Sequence, residues 1–150
     1  MRILKLGAIA LAVLLVVAQA FRIDQTNPPV TADLNAPAPA KEVLKRACYD
    51  CHSNETVWPL YSKVAPLSWL VAYDVHEGRA ELNFSQWRSY RPGQRLRQLE
   101  EIREEVADGE MPPWYYVYPT HLAARLSVAD RETLFAWVTS ESASLERAAH

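Results

Sequence analysis

Cys48-Tyr49-Asp50-Cys51-His52 is the stretch on which the reading of this chain turns. It has the C-x-x-C-H form of a covalent c-type haem attachment site. Two thiols can add to the two vinyl groups of a haem, and a two-residue spacer turns both sulfurs to one edge of the ring. His52 then lies where an imidazole serves as the proximal iron ligand. A C-x-x-C pair also serves as a redox dithiol or as half of a zinc site. The dithiol needs a βαβ context, which the chain does not offer. The zinc site needs two more ligands at short spacing, and the chain has only these two cysteines. A plain disulfide has no use for histidine in the fifth place. These readings stay open beside haem.

Working outward, the second axial position follows from a count. The chain holds two methionines, and one of them is Met1. Met111 sits in Asp108-Gly109-Glu110-Met111-Pro112-Pro113-Trp114. A helix ending at Gly109, followed by two prolines, makes a stiff extended loop with Met111 at its start. A thioether held there suits the sixth position of a low-spin haem, and Met/His ligation raises its reduction potential. Met111 could equally fill a gap in the core. His76 is the rival ligand, though a histidine in the last turn of a helix also complements the macrodipole. His121 is a weaker third candidate, and His150 is terminal, where disorder is expected.

Residues 1–20 open with Arg2 and Lys5, continue from Leu6 to Ala18 without a charge, and reach Ala18-Gln19-Ala20. This is the pattern of a secretory signal peptide. The apolar run is short for a bilayer span, but residues 3–21 could remain as a membrane attachment. Either outcome puts the domain on the periplasmic side of the bacterial inner membrane, where c-type haem is attached. Residues 21–40 are a Pro-rich tether, with Pro28, Pro29, Pro37 and Pro39, that either spaces the domain from a membrane or wraps on its surface. Residues 41–150 form one domain. Beyond the leader, 14 Lys and Arg face 18 Asp and Glu, a net of −4, which disfavours nucleic acid as a partner.

Periodicity places the helices. One runs over 40–47 into the haem motif, with Val43, Leu44 and Ala47 apolar. Trp58-Pro59-Leu60-Tyr61 reads as a loop, packed in the core or over one haem edge. A second helix spans 66–77, with Leu67, Leu70, Val71 and Val75 on one side and Trp69, Tyr73 and His76 on another. That pattern predicts a largely buried helix with Gly78 as its stop. Ser85 is expected to cap a turn carrying Trp87. Pro92 opens the clearest helix, to Asp108, with Leu96, Leu99, Ile102 and Val106 as its buried stripe. Its arginines precede its acids, against the dipole. That is the mark of a solvated face with Arg–Glu pairs, unless Arg91 or Arg95 neutralises a haem propionate. The rings of Trp114 to Tyr118 either form core or seal the distal haem face. Ser127-Val128-Ala129-Asp130 is a capping-box-like start to the last helix, through Leu134, Phe135, Trp137 and Val138.

Four stretches carry a resemblance. They are Cys48 to Pro59, Leu82-Asn83-Phe84-Ser85 with Trp87, Gly109 to Tyr115, and Asn27-Pro28-Pro29-Val30. Together they resemble the bacterial "haem-binding domain" family of cytochrome c-like monohaem proteins, over roughly residues 24 to 138. The resemblance implies an all-α, cytochrome c-like fold around one covalent haem c, outside the cytoplasm. In cytochromes c the helix before the motif packs on the last helix, and the same is expected here. Relatives in the family often look anchored. Cys48 and Cys51 would hold the porphyrin, with His52 and Met111, or less favourably His76, on the iron. Single-electron transfer to redox partner proteins is the expected function, without chemistry on a substrate. A small peroxidase or gas sensor would need an exchangeable sixth ligand. A haem-bearing structural module of a membrane complex would need only the attachment.

Overall fold

The computed structural model describes residues 1–148, so His150 lies outside the described residues. Seven α-helices joined by loops and short 3-10 turns make up the fold, and no strand occurs among the described residues. The all-α expectation holds.

Helix α1 (Arg2–Ala18) buries none of its residues. A helix that is apolar on every side has no solvated face to offer. No helix among the described residues is long and apolar enough to cross a membrane. The segment after α1 is not a free spacer. It wraps on the domain, the second of the two arrangements read from the sequence. The N–H groups of Ala32 and Leu34 donate to the carbonyls of Ser85 (3.0 Å) and Phe84 (2.9 Å), and Leu34 is buried. Asn27 and Asn54 exchange side-chain-to-backbone bonds with the two sides of the contact, Asn27 to the Thr56 carbonyl and Asn54 to the Pro29 carbonyl, each at 2.9 Å.

Helix α2 (Ala38–Ala47) begins two residues before the expected position because Pro39 fits the first turn, where its missing N–H costs nothing. Its apolar stripe Ala40, Val43, Leu44 and Ala47 is buried. The stripe joins Leu134, Trp137 and Val138 of α7 (Val128–Ala148) in one core. The helix before the haem motif thus packs on the last helix, as expected. Each fully buried leucine of this kind contributes roughly 1.5–3 kcal/mol. An Arg46–Asp130 ion pair of 2.7 Å ties the two helices together. Ser127 and Asp130 form the capping box: the Asp130 N–H donates to Ser127 Oγ (3.1 Å) and the Ser127 N–H to Asp130 Oδ2 (2.9 Å).

The haem motif itself forms a single turn, α3 (Tyr49–His52), packed on α4 (Leu67–Glu81). Two expectations about α4 fail. Gly78 is not its stop, and the helix is not largely buried: only Ala72, Val75 and Gly78 are. Leu67, Leu70 and Tyr73 stay exposed. Gly78 is retained inside the helix because α3 lies against it. A Cβ there would stand 2.8 Å from the Cys51 carbonyl oxygen and 3.1 Å from the Cys51 carbonyl carbon. Only glycine permits that approach.

Asn83, not Ser85, caps the 3-10 turn Phe84–Ser89, by accepting from the Ser85 N–H at 3.0 Å. Ser85 Oγ accepts from the Asn54 N–H instead (2.9 Å), and Asn83 donates to the Asn54 side chain (2.8 Å). Phe84, Ser85 and Trp87 are buried around this network. Helix α5 (Pro92–Asp108) has the expected bounds and packs along α7. Leu99 and Val106 are buried, while Leu96 and Ile102 are partly so. Gly109 ends it at φ 78°, the left-handed conformation that glycine adopts at no steric cost. The chain continues through α6 (Trp114–Val117) to α7.

Candidate functional site: a cavity floored by the C-x-x-C-H turn

A cavity of about 560 Å³ opens between α3, α4, α5 and the loop leading into α6. This is the size of a site for a cofactor-scale ligand. Cys48, Cys51 and His52 line one part of it and Met111, Pro112 and Pro113 another. The four residues proposed from the sequence as haem ligands therefore share one cavity. His76 is exposed on α4 and is not among the lining residues. His121 is also elsewhere. It stacks on Tyr116 at 4.2 Å between ring centres, within 3.0 Å of the Tyr116 carbonyl.

The orientation of His52 is fixed from behind. Its Nδ1–H donates to the carbonyls of Gly78 (2.8 Å) and Leu82 (3.2 Å). Both partners are acceptors, so the proton sits on Nδ1 and the Nε2 lone pair is left for a metal. Burial lowers the imidazole's pKa, although the two carbonyls act in the opposite direction. The neutral ring is the ligating form. The two cysteines are not joined in a disulfide. Burial pushes each thiol up to about 12; for Cys51 the nearby Asp74 and Asp50 add to the effect. Burial thus favours the protonated thiols over the thiolates.

Met111 is placed by the end of α5. The N–H groups of Glu110 and Met111 both return to the Glu105 carbonyl, at 3.0 and 3.2 Å. Past the two prolines, α6 is tied across to the haem motif, since Tyr116 Oη donates to Asp50 Oδ2 at 2.8 Å. Asp50 Oδ1 accepts from the Val57 N–H at 3.0 Å. Burial, with the Asp50 charge behind it, pushes the Tyr116 phenol up. Of the aromatic run, Tyr115 and Tyr116 line the cavity, Tyr115 with an exposed edge, and Trp114 and Tyr118 are exposed away from the lining.

The two x residues of C-x-x-C-H are therefore not passive spacers. Tyr49 faces the opposite way from the cavity wall built by Asp50. Its ring stacks on Phe84 (5.2 Å, 5° between planes), and its hydroxyl donates to Asp33 at 3.0 Å and accepts from Lys41. Lys41 completes the triad with an Asp33 contact of 2.6 Å. Phe84 in turn meets His52 edge-on at 6.5 Å. A further residue that the sequence did not single out is Arg79, next to Gly78. Its guanidinium reaches the Ser53 carbonyl (2.7 Å), the Thr26 carbonyl (3.0 Å), Asn27 Oδ1 (2.7 Å) and Thr56 Oγ1 (2.8 Å). One side chain thus joins α4, the loop after the haem motif and the wrapped segment. Its only sequence signal is position, one residue past a glycine inside a helix.

Other sequence expectations resolve against the cavity. Trp58 donates to Asn27 (3.2 Å), and neither it nor Tyr61 lines the cavity. Arg95 donates to the Tyr90 carbonyl at 3.0 Å, and Arg97 pairs with Glu101 at 3.9 Å. Neither Arg91 nor Arg95 lines the cavity, and no Lys or Arg does. Its charged lining is acidic, including Asp74, Glu77, Glu81 and Glu105. Among the described residues no three His, Cys, Asp or Glu side chains gather as a metal cluster, which leaves the C-x-x-C pair without zinc co-ligands.

Two thiols, a back-bonded imidazole and a thioether around an apolar cavity fit a haem and define a haem protein. The chain belongs to the haem-binding domain family, whose model matches residues 13–140. No curated protein and no solved structure matches the chain.

Proposed function

We propose that this is an exported c-type monohaem cytochrome, all-α and cytochrome c-like, that carries single electrons. One observation carries the reading. Met111 lines the same cavity as Cys48, Cys51 and His52, while the two other described histidines lie outside it. Cys48 and Cys51 would hold one haem c through thioethers, His52 would be the proximal ligand and Met111 the distal one. The bound haem supplies an iron that cycles between two oxidation states. The residues of the chain hold it still. Gly78 and Leu82 carbonyls set the plane and tautomer of His52, Glu105 positions the Met111 backbone, and the Tyr116–Asp50 bond closes the loop across the motif. An electron carrier benefits from ligands that do not move between oxidation states. With no Lys or Arg in the lining, the propionates of such a haem would find no basic partner within the cavity.

Export by residues 1–20 accounts for α1, an apolar helix that buries nothing on its own domain. The redox partners are proteins on the periplasmic side of the inner membrane. The test is an optical spectrum of the exported protein, oxidised and reduced, with and without carbon monoxide. A low-spin spectrum with the weak far-red band of sulfur-ligated ferric haem, unmoved by carbon monoxide and lost in Met111→Ala, is expected. A high-spin spectrum or ready carbon monoxide binding would replace electron carriage with peroxidase-like or gas-sensing chemistry. Haem removed by acid extraction would overturn covalent attachment.

A further inference from the structure

The junction between α1 and the domain is bonded rather than loose. Gln19 makes two hydrogen bonds with the backbone of Ala65: its Nε2 donates to the Ala65 carbonyl (3.2 Å) and its Oε1 accepts from the Ala65 N–H (3.0 Å). Trp69 Nε1 donates to the Phe21 carbonyl at 3.0 Å. Gln25 reaches the Ser62 carbonyl. The stretch that follows α1, residues 19–25, is thus fixed to the 3-10 turn Leu60–Lys63, to Ala65 and to the first turn of α4. The family match begins at residue 13, inside α1, and crosses this junction.

The same place carries exposed apolar side chains. Phe21 is 65 % exposed and Leu60 82 %, and Val64, Leu67 and Leu70 are also open. Leu67 and Leu70, three residues apart, share one side of α4. Arg22 and Lys63 line a small second cavity at this junction. They set a basic pair among apolar groups in a chain whose net charge is negative.

We infer that this face rests on an anionic lipid surface, with α1 retained in the bilayer. The inference takes the export reading further, from delivery to residence. Length supports it. Seventeen helical residues rise about 26 Å, a few Å less than a typical hydrocarbon core of about 30 Å. A short hydrophobic stretch draws its flanking residues toward the bilayer. Here the flank is Phe21 and the domain face bonded to it. Trp69 sits at the junction, where an amphipathic ring is favoured between lipid and water. Arg22 and Lys63 match anionic headgroups.

The test uses the full haem-loaded chain in a phosphatidylcholine–phosphatidylglycerol bilayer. A nitroxide is carried in turn by Leu11→Cys in α1, Val64→Cys in the face and Val128→Cys at the start of α7, with the unsubstituted chain as the labelling blank. Collision with oxygen and with a water-soluble nickel chelate reports the surroundings of each label. The expected result is an oxygen-to-nickel ratio several-fold higher at position 64 than at 128, falling when Arg22→Glu and Lys63→Glu are added. A water-like label at 64 beside a lipid-like label at 11 overturns the inference and leaves anchoring intact. A water-like label at 11, or an intact mass that starts at or near Phe21, removes the anchor and the inference together.

Discussion

Gly78→Ala is expected to destabilise the domain, although alanine is the better helix former. Inside a helix the exchange alone would gain about 1 kcal/mol. Here the new Cβ meets the Cys51 carbonyl oxygen at 2.8 Å, where ordinary contact begins at 3.4 Å. The obstacle is backbone, so α3 must retreat from α4 by roughly 0.6 Å, at an overpacking cost of about 1–3 kcal/mol. A retreat of that size stretches the His52–Gly78 hydrogen bond from 2.8 Å to about 3.4 Å, past the useful range. Losing it costs about 0.5–1.5 kcal/mol more. The balance is a loss of roughly 2 kcal/mol, or about 8 °C in Tm for a domain of this size. Far-UV circular dichroism melts of the haem-loaded chain measure it. Gly93→Ala is the control, because a Cβ there meets nothing within 4 Å. A Gly78→Ala chain that melts at or above the parent temperature would refute the close-contact argument and leave helix propensity as the larger effect.

Arg79→Lys keeps the charge but loses the fork that serves four acceptors. It is expected to cost about 2 kcal/mol and to speed proteolysis within residues 22–36, read by limited digestion against the parent. Tyr116→Phe removes the hydroxyl from Asp50 and is expected to cost about 1.5 kcal/mol. It should also weaken the sulfur-ligand band in the far red, whereas a purely structural tyrosine would leave the band unchanged in the folded protein. Asp130 bears on pH dependence. Burial raises its pKa, but bonds from Ser127 and Arg46 outweigh that and hold it below its ordinary 3.8. A depressed carboxylate stabilises the fold above its unfolded value and loses that contribution as pH falls through the folded one. The Tm gap between parent and Asp130→Asn should be full at neutral pH and close below about pH 4. A gap that persists at lower pH would refute it.

The elements legible in the sequence are those set by local chemistry. The bounds of α5 follow from Pro92, a four-residue apolar stripe and a glycine free to take positive φ. The capping box at Ser127 is likewise contained in four residues. The floor of the cavity is legible because C-x-x-C-H has a chemistry of its own, and Met111 because it has no rival among thioethers. Gly78 was misread for a physical reason. A glycine near the end of an apolar pattern looks the same whether it turns the chain or makes room for a neighbour, and the neighbour is the carbonyl of Cys51. The exposed side of α4 was misread because Leu67, Leu70 and Tyr73 face away from the core, and Trp69 donates to the Phe21 carbonyl, a bond that its own helix pattern does not announce. Arg79, and the bonds of Tyr49 and Asp50, are long-range. Nothing around Asp50 in the sequence points to Tyr116.

If the protein is the anchored carrier proposed above, the docked course of residues 24–34 bears on how it would meet its partners. As a flexible leash, eleven residues would give a root-mean-square span of roughly 18 Å, and a carrier so held would sweep a volume and sample partners by swinging. With its backbone bonded to Phe84 and Ser85 and clasped by Arg79, that search volume collapses. Encounter then depends on how the whole body drifts and turns. For the proposed carrier, reach would be lost at the leash, and the cavity would keep one fixed placement relative to the docked segment.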